Sequence, residues 1–225
     1  VNAAAGQPMP TGKVYLIDKP GAAQTVVSHI LKAPERKSAD YYALTLANAV
    51  YGGGFGTRLN LNLREDKGWS YGVFAFPQHF SKSGMWIANG GVQTDKTKES
   101  VVEFMKELRG IAGEKPISEA EFTNARLSKA RGYAQQFEGY QRIGQQISDL
   151  WIAGLPMTYL QAETDEIAKL GLGPVNAIAA KYAAVPGTSL LLVGDLSKIE
   201  AGIRELNLGE IVILDVEGRP VISKQ

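Results

Sequence analysis

An α+β fold, with an antiparallel or mixed sheet and helices packed mainly on one face, is what this sequence predicts, on three observations. Apolar, β-branched runs come in pairs near the start and again in the middle, helical periodicity dominates the second half, and two short strands close the chain. The strict strand–helix alternation of a doubly wound parallel sheet is missing. The 225 residues are 44% hydrophobic and 21% charged, ordinary proportions for a chain with a substantial core. No charge run or Pro/Ser-rich linker marks an internal boundary, so one domain is read from residue 13 onward, behind a Pro/Gly/Ala-rich lead-in at 1–12.

Each element has a local reason. Residues 13–18 (KVYLID) and 24–32 (QTVVSHILK) read as strands, paired across the Pro/Gly turn between them. Residues 38–52 read as a helix, with Ser38 as its cap, Asp40 in its first turn and Gly52 as its stop. Gly52, Gly53 and Gly54 then suit a tight turn with positive φ, which glycine adopts without steric cost. In the run that follows, Leu59, Leu61 and Leu63 alternate like a strand, whereas Phe55, Leu59 and Leu63 keep helical spacing. The glycines on either side, with Arg64 and Lys67 near the end, favour a short helix whose cations face its C-terminal dipole. Residues 70–80 and 84–93 form a hairpin across SKSG. A helix follows, with Val101, Met105, Leu108 and Ala112 on one face, Asp95 as its candidate cap and Gly113 as its stop. The pairs Ser118/Glu121, Thr158/Gln161 and Ser197/Glu200 match the capping-box pattern and start helices near 119–137, 159–169 and 198–206. A further helix spans 140–153, Pro174 suits the first position of another, and 188–195 and 210–215 are late strands.

Several function classes are excluded. Lys and Arg total 24 against 23 Asp and Glu, so no bulk field draws the chain to nucleic acid or an anionic membrane. No apolar stretch approaches the roughly 20 residues of a membrane span, and the start lacks the basic head and apolar run of a signal peptide. That start reads as an internal cut or a processed terminus. The lack of cysteine removes disulfides and thiolate metal sites but leaves the compartment open. With His29 and His79 the only histidines, fifty positions apart, neither a self-contained zinc site nor a Ser-His-Asp triad is supported. The glycine cluster is no phosphate loop, because Gly56 is followed by Thr57 and Arg58 instead of Lys-Ser/Thr, and a helix instead of a strand precedes it.

Arg64 and Tyr71 remain. Singly, an Arg at a helix end is usually solvated and a Tyr at a strand start is usually packing. Together they are a guanidinium and a phenol, which can both donate to a peptide carbonyl, or to the oxyanion it becomes, without losing a proton.

The stretch GGGFGTRLNLNLREDKGWSYGV resembles the signature of the carboxy-terminal half-domain of pitrilysin-type (insulinase-like) zinc metallopeptidases, relatives of the mitochondrial processing peptidase. The family pattern is a glycine-rich turn, Ser/Thr-Arg-Leu, Leu-Arg-Glu, then Gly and a Tyr seven positions after the Arg, the spacing that Arg64 and Tyr71 hold. Trp69 and Ser70 stand where Leu and Ala are common. The likeness in element order runs over about 13–215, and it implies that 13–225 is a single peptidase-like half-domain of a two-half clamshell around a peptide-binding chamber. By that likeness Arg64 and Tyr71 bind the substrate backbone and stabilise the tetrahedral intermediate, while zinc sits on an H-x-x-E-H helix of the other half. No H-x-x-E-H occurs here, so no cofactor is expected in this chain and zinc is expected in a partner domain or subunit. The implied partners are a peptide or unfolded polypeptide substrate and that zinc-bearing half, with a dimer as one arrangement. The alternative is an inactive scaffold or peptide-binding subunit of the same family. A bacterial periplasmic setting is the expectation for this short form.

Overall fold

A computed structural model describes residues 12–184 and 188–221. The proposed lead-in at 1–12 lies almost wholly outside them. Six strands form one mixed sheet in the order β3-β4-β2-β5-β1-β6. In chain order they are β1 (Lys13–Asp18), β2 (Gln24–Lys32), β3 (Ser70–His79), β4 (Gly84–Gln93), β5 (Ser189–Gly194) and β6 (Glu210–Leu214). β3, β4, β2 and β5 pair antiparallel, whereas β5 with β1 and β1 with β6 are parallel.

The pairing expected between β1 and β2 does not form. β5 lies between them, with Leu192 opposite Leu16 on one side and Val27 on the other. The residue pattern explains the insertion. β5 is a nearly continuous apolar run, SLLLVG, suited to a strand flanked on both edges, whereas β2 alternates like a strand with one buried face. Gly194 permits close approach here, since a Cβ at that position would lie 2.6 Å from Thr25 Oγ1 on β2.

Eight α-helices lie among the described residues: α1 (Tyr41–Tyr51), α2 (Arg58–Asn60), α3 (Thr97–Arg109), α4 (Glu119–Gly132), α5 (Tyr140–Ala153), α6 (Tyr159–Lys169), α7 (Leu172–Tyr182) and α8 (Leu196–Glu205). The core lies between them and the sheet face carrying Val14, Leu16, Val27, Leu31, Val73 and Trp86. Trp86 packs edge-on against Tyr51 at 5.1 Å between centroids and donates to Asn48 Oδ1 at 2.7 Å, so its indole N–H is satisfied inside the core. The opposite face has no covering layer among the described residues and leaves Val26 and Phe76 exposed. No helix among these residues is long and apolar enough to cross a membrane.

Of the three capping boxes read from the sequence, only Ser118 with Glu121 closes, with both reciprocal bonds present. Thr158 makes no side-chain cap bond. At α8 the cap residue is Asp195, whose carboxylate accepts from Gly21 N–H and from the Ser197 hydroxyl expected to cap with Glu200. α1 begins at Tyr41 with Asp40 before it, and Asp95 falls in a 3₁₀ turn ahead of α3. Pro174 occupies the third position of α7, still within the first turn, where its missing N–H has no intrahelical partner to lose.

His29 is fully buried on the helix-facing side of β2, and neither ring nitrogen finds a partner. Burial lowers its pKa from 6.5 to about 4, so the ring is neutral in the fold. The unfolded chain takes up that proton first as pH falls, and the stability present above pH 6.5 is lost between 6.5 and about 4. Urea denaturation across that window is expected to show a slope approaching about 1.4 kcal/mol per pH unit from His29, which His29→Leu removes, leaving only what His79, its pKa also lowered by burial, adds. Equal slopes in the two proteins would discard this account.

Candidate functional site

The glycine cluster, α2 and the start of β3 form one connected structure. None of Gly52, Gly53 and Gly54 has positive φ, contrary to the turn expected from the sequence. Gly52 is required instead by space, because an added Cβ would lie 2.5 Å from Ala75 Cβ and 2.9 Å from Leu59 Cδ1. Its carbonyl accepts from Ala75 N–H of β3 at 2.7 Å.

Thr57 precedes α2 in extended conformation, and its hydroxyl donates to Gly54 O at 2.6 Å. The helix continues past Asn60 as a wider π-helical segment, Leu61–Asp66. Leu59 and Leu63 are buried while Leu61 is exposed, so helical spacing wins over strand alternation. Gly68, at φ +66°, ends the turn in the left-handed region, with Gly68 N–H bonded to Arg64 O and Trp69 N–H to Leu63 O. Single π turns inside helices occur often at functional sites.

Three polar side chains hold this unit, and sequence reasoning singled out none of them. Arg58 is buried; its Nε and Nη2 each reach the Glu121 carboxylate at 2.8 Å. Its Nη1 and Nη2 also donate to the carbonyls of Lys115 and Pro116, at 2.5 and 3.1 Å. The Arg58 hydrogen bonds, helped by Ser118, hold the Glu121 pKa at about 2. Asn60 is fully buried; its Nδ2 donates to Val73 O at 2.6 Å and Gly54 O at 3.1 Å, and its Oδ1 accepts from Val73 N–H at 3.0 Å. Asn62 donates to Glu103 and Glu107 of α3, each at 2.7 Å. The one available signal was Arg58 itself, a cation at a helix start where the dipole disfavours it.

Arg64 and Tyr71 lie on either side of Gly68, in the π turn and at the second residue of β3. The Arg64 side chain is 41% exposed, its Nη1 is 3.3 Å from Glu65, and its guanidinium lies 4.9 Å above the Phe55 ring. Phe55 stands edge-on to Phe74 of β3 at 5.0 Å. Tyr71 is 88% exposed. No hydrogen bond or ring contact joins Arg64 to Tyr71, but neither is sequestered in a buried niche, and the string Arg64–Phe55–Phe74 ties the first to the strand that carries the second. A cavity of about 610 Å³ lies behind the glycine turn against α4, where Asn48, Arg58, Glu121 and Lys129 line it; Arg64 and Tyr71 are not among its walls.

The residues present do not suit a catalytic metal. No group of three or more His, Asp or Glu side chains converges among the described residues. His29 is enclosed in the core, and His79 Nδ1 is 2.8 Å from Pro34 O.

A family model described as the peptidase M16 inactive domain matches residues 4–129. A curated relative, the uncharacterized zinc protease YmxG of Bacillus subtilis (strain 168), is 34% identical over 71 residues, 30% of this chain and 17% of that protein. The structure of a peptidase M16 inactive domain from Pseudomonas fluorescens superposes with a TM-score of 0.76 at 23% identity, covering 86% of this chain and 46% of the other. A chain of complex III2 from Candida albicans gives a TM-score of 0.72 at 15% identity, covering 88% and 49%. This chain thus spans less than half the length of each relative, and at these identities the two structures bear on its fold alone.

Proposed function

Because this chain belongs to the family of peptidase M16 inactive domains, we propose that it is the metal-free half of a zinc-dependent endopeptidase, contributing Arg64 and Tyr71 to the binding of an extended peptide. On this reading residues 13–225 act as one half-domain, and the zinc and its activated water belong to a partner half bearing H-x-x-E-H. The observation that carries the proposal is the pair of solvent-accessible donors, a guanidinium held only by an exposed carboxylate and ring and a phenol, on two supports joined through Gly68. Both can donate to a substrate carbonyl oxygen and keep donating as it gains negative charge. The bacterial organisms of two of the relatives suggest a bacterial source, and a periplasmic setting is part of the same proposal.

A second reading, a scaffold or peptide-binding subunit without turnover, is favoured by the lack of any contact between Arg64 and Tyr71 and by a cavity that neither of them lines. Reconstitution separates the two. The isolated chain is expected to carry no stoichiometric zinc by elemental analysis and to cleave no peptide, and addition of an H-x-x-E-H half is expected to yield cleavage that neither half shows alone. One tightly held zinc per isolated chain would overturn the proposal. Peptide binding without cleavage in the mixture would select the scaffold.

A further inference from the structure

We propose that Asn60 is a positioning residue that sets where Tyr71 projects, by latching the β-bulge on which that tyrosine rides. The inference rests on the reading of Arg64 and Tyr71 as substrate-facing donors, and it concerns a residue two side chains removed from any substrate.

Register shows what the bulge does. Along β3, Val73 pairs with Gly90 and Ala75 with Ala88, on the helix-facing side of the sheet. Strict alternation would place Tyr71 opposite Val92, on that same buried face. Instead Ser70 pairs with Val92 and is buried, so three steps on β3 oppose two on β4. The extra residue releases Tyr71 from the core-facing row and leaves it exposed, the usual effect of a bulge that re-aims a side chain.

Two latches close this bulge. Ser70 Oγ donates to Gly91 O at 2.6 Å and accepts from Gly72 N–H at 3.1 Å, holding the start. Asn60 holds the end, meeting both the N–H and the C=O of Val73 as a neighbouring strand would. Through its bond to Gly54 O it also fixes the glycine turn that leads into Phe55, the ring beneath Arg64. One fully buried amide therefore ties together the supports of both donors, and relaxing it loosens Tyr71 relative to Arg64 while Leu59 and Leu63 keep the helix in the core.

The test uses Asn60→Leu, close in volume and unable to make the three bonds, and Ser70→Ala, which opens the other latch if the first variant folds poorly. In the isolated chain labelled with fluorotyrosine, the Tyr71 resonance, assigned by its loss in Tyr71→Phe, is expected to shift or broaden. Val73 amide exchange is expected to quicken at least tenfold in Asn60→Leu while the Ala75 amide, bonded to Gly52, is unchanged. In the complex with the zinc half, Asn60→Leu is expected to lower kcat about tenfold, and by clearly less in the Tyr71→Phe background, where only the support of Arg64 is left to lose. Additive losses in that double variant, or an unmoved Tyr71 resonance in a folded Asn60→Leu chain, would overturn the proposal. Wild-type turnover by Tyr71→Phe itself would instead defeat the reading of the donor pair, leaving the fluorine and exchange measurements to decide whether Asn60 governs the bulge.

Discussion

Arg64→Ala and Tyr71→Phe are each expected to lower turnover of the reconstituted peptidase about a hundredfold, the loss typical of removing one oxyanion donor, worth about 3 kcal/mol of barrier. Tyr71 is solvent-facing and Arg64 rests on the exposed ring of Phe55, outside the core, so the fold and its melting temperature should be preserved. Tyr71→Phe is the cleaner variant, because it deletes one hydroxyl and keeps the ring. Arg64→Lys retains charge on a flexible stem and loses the planar fork that rests on Phe55, and it should recover only part of the rate. A fall in kcat with KM little changed identifies bonds that strengthen as the carbonyl oxygen gains charge; a rise in KM alone limits the pair to holding the peptide. Unaltered kinetics in both variants would make them ordinary surface residues.

Arg58→Met is expected to destabilise the chain by about 3 kcal/mol, at the lower end for breaking a buried ion pair, since part of the Glu121 carboxylate remains wet. The variant strips Glu121 of its main partner and leaves the Lys115 and Pro116 carbonyls without their donor. The same pair sets an acid limit. Glu121 has its pKa depressed from 4.5 to about 2, so its contribution is complete above pH 4.5 and drains away as pH falls toward 2. Denaturant titrations from pH 5 to pH 2 should show that loss in the natural chain and a shallower one in Arg58→Met. Equal stability at neutral pH would reduce Arg58 to a tolerated charge.

Local rules carried the architecture far. The helix signal in Leu59 and Leu63, the SKSG hairpin and the Ser118 capping box all depend on residues within a few positions, and each appears where periodicity placed it. Failures begin where distant segments compete. β1 and β2 are adjacent in sequence, yet a strand almost the whole chain away separates them, because a run apolar on both faces finds more burial in the middle of the sheet than at its edge. The candidate site shows the same division. The Arg64 and Tyr71 spacing was visible in the residues, whereas the anchoring of Arg58 to a carboxylate 63 positions away was not. Asn60 likewise has no local signature, since the strand groups it serves are named only by the register.

Several backbone groups along the outer rim of β3 are already taken. Val73 presents its amide and carbonyl to Asn60, the Ala75 amide is taken by Gly52, and Pro77 has no amide to offer. Over residues 73–77, a margin that would ordinarily invite a stray chain to zip alongside it therefore offers few free donors. A polypeptide laid along this stretch finds no continuous backbone template, which disfavours self-association and annealing by β-addition there.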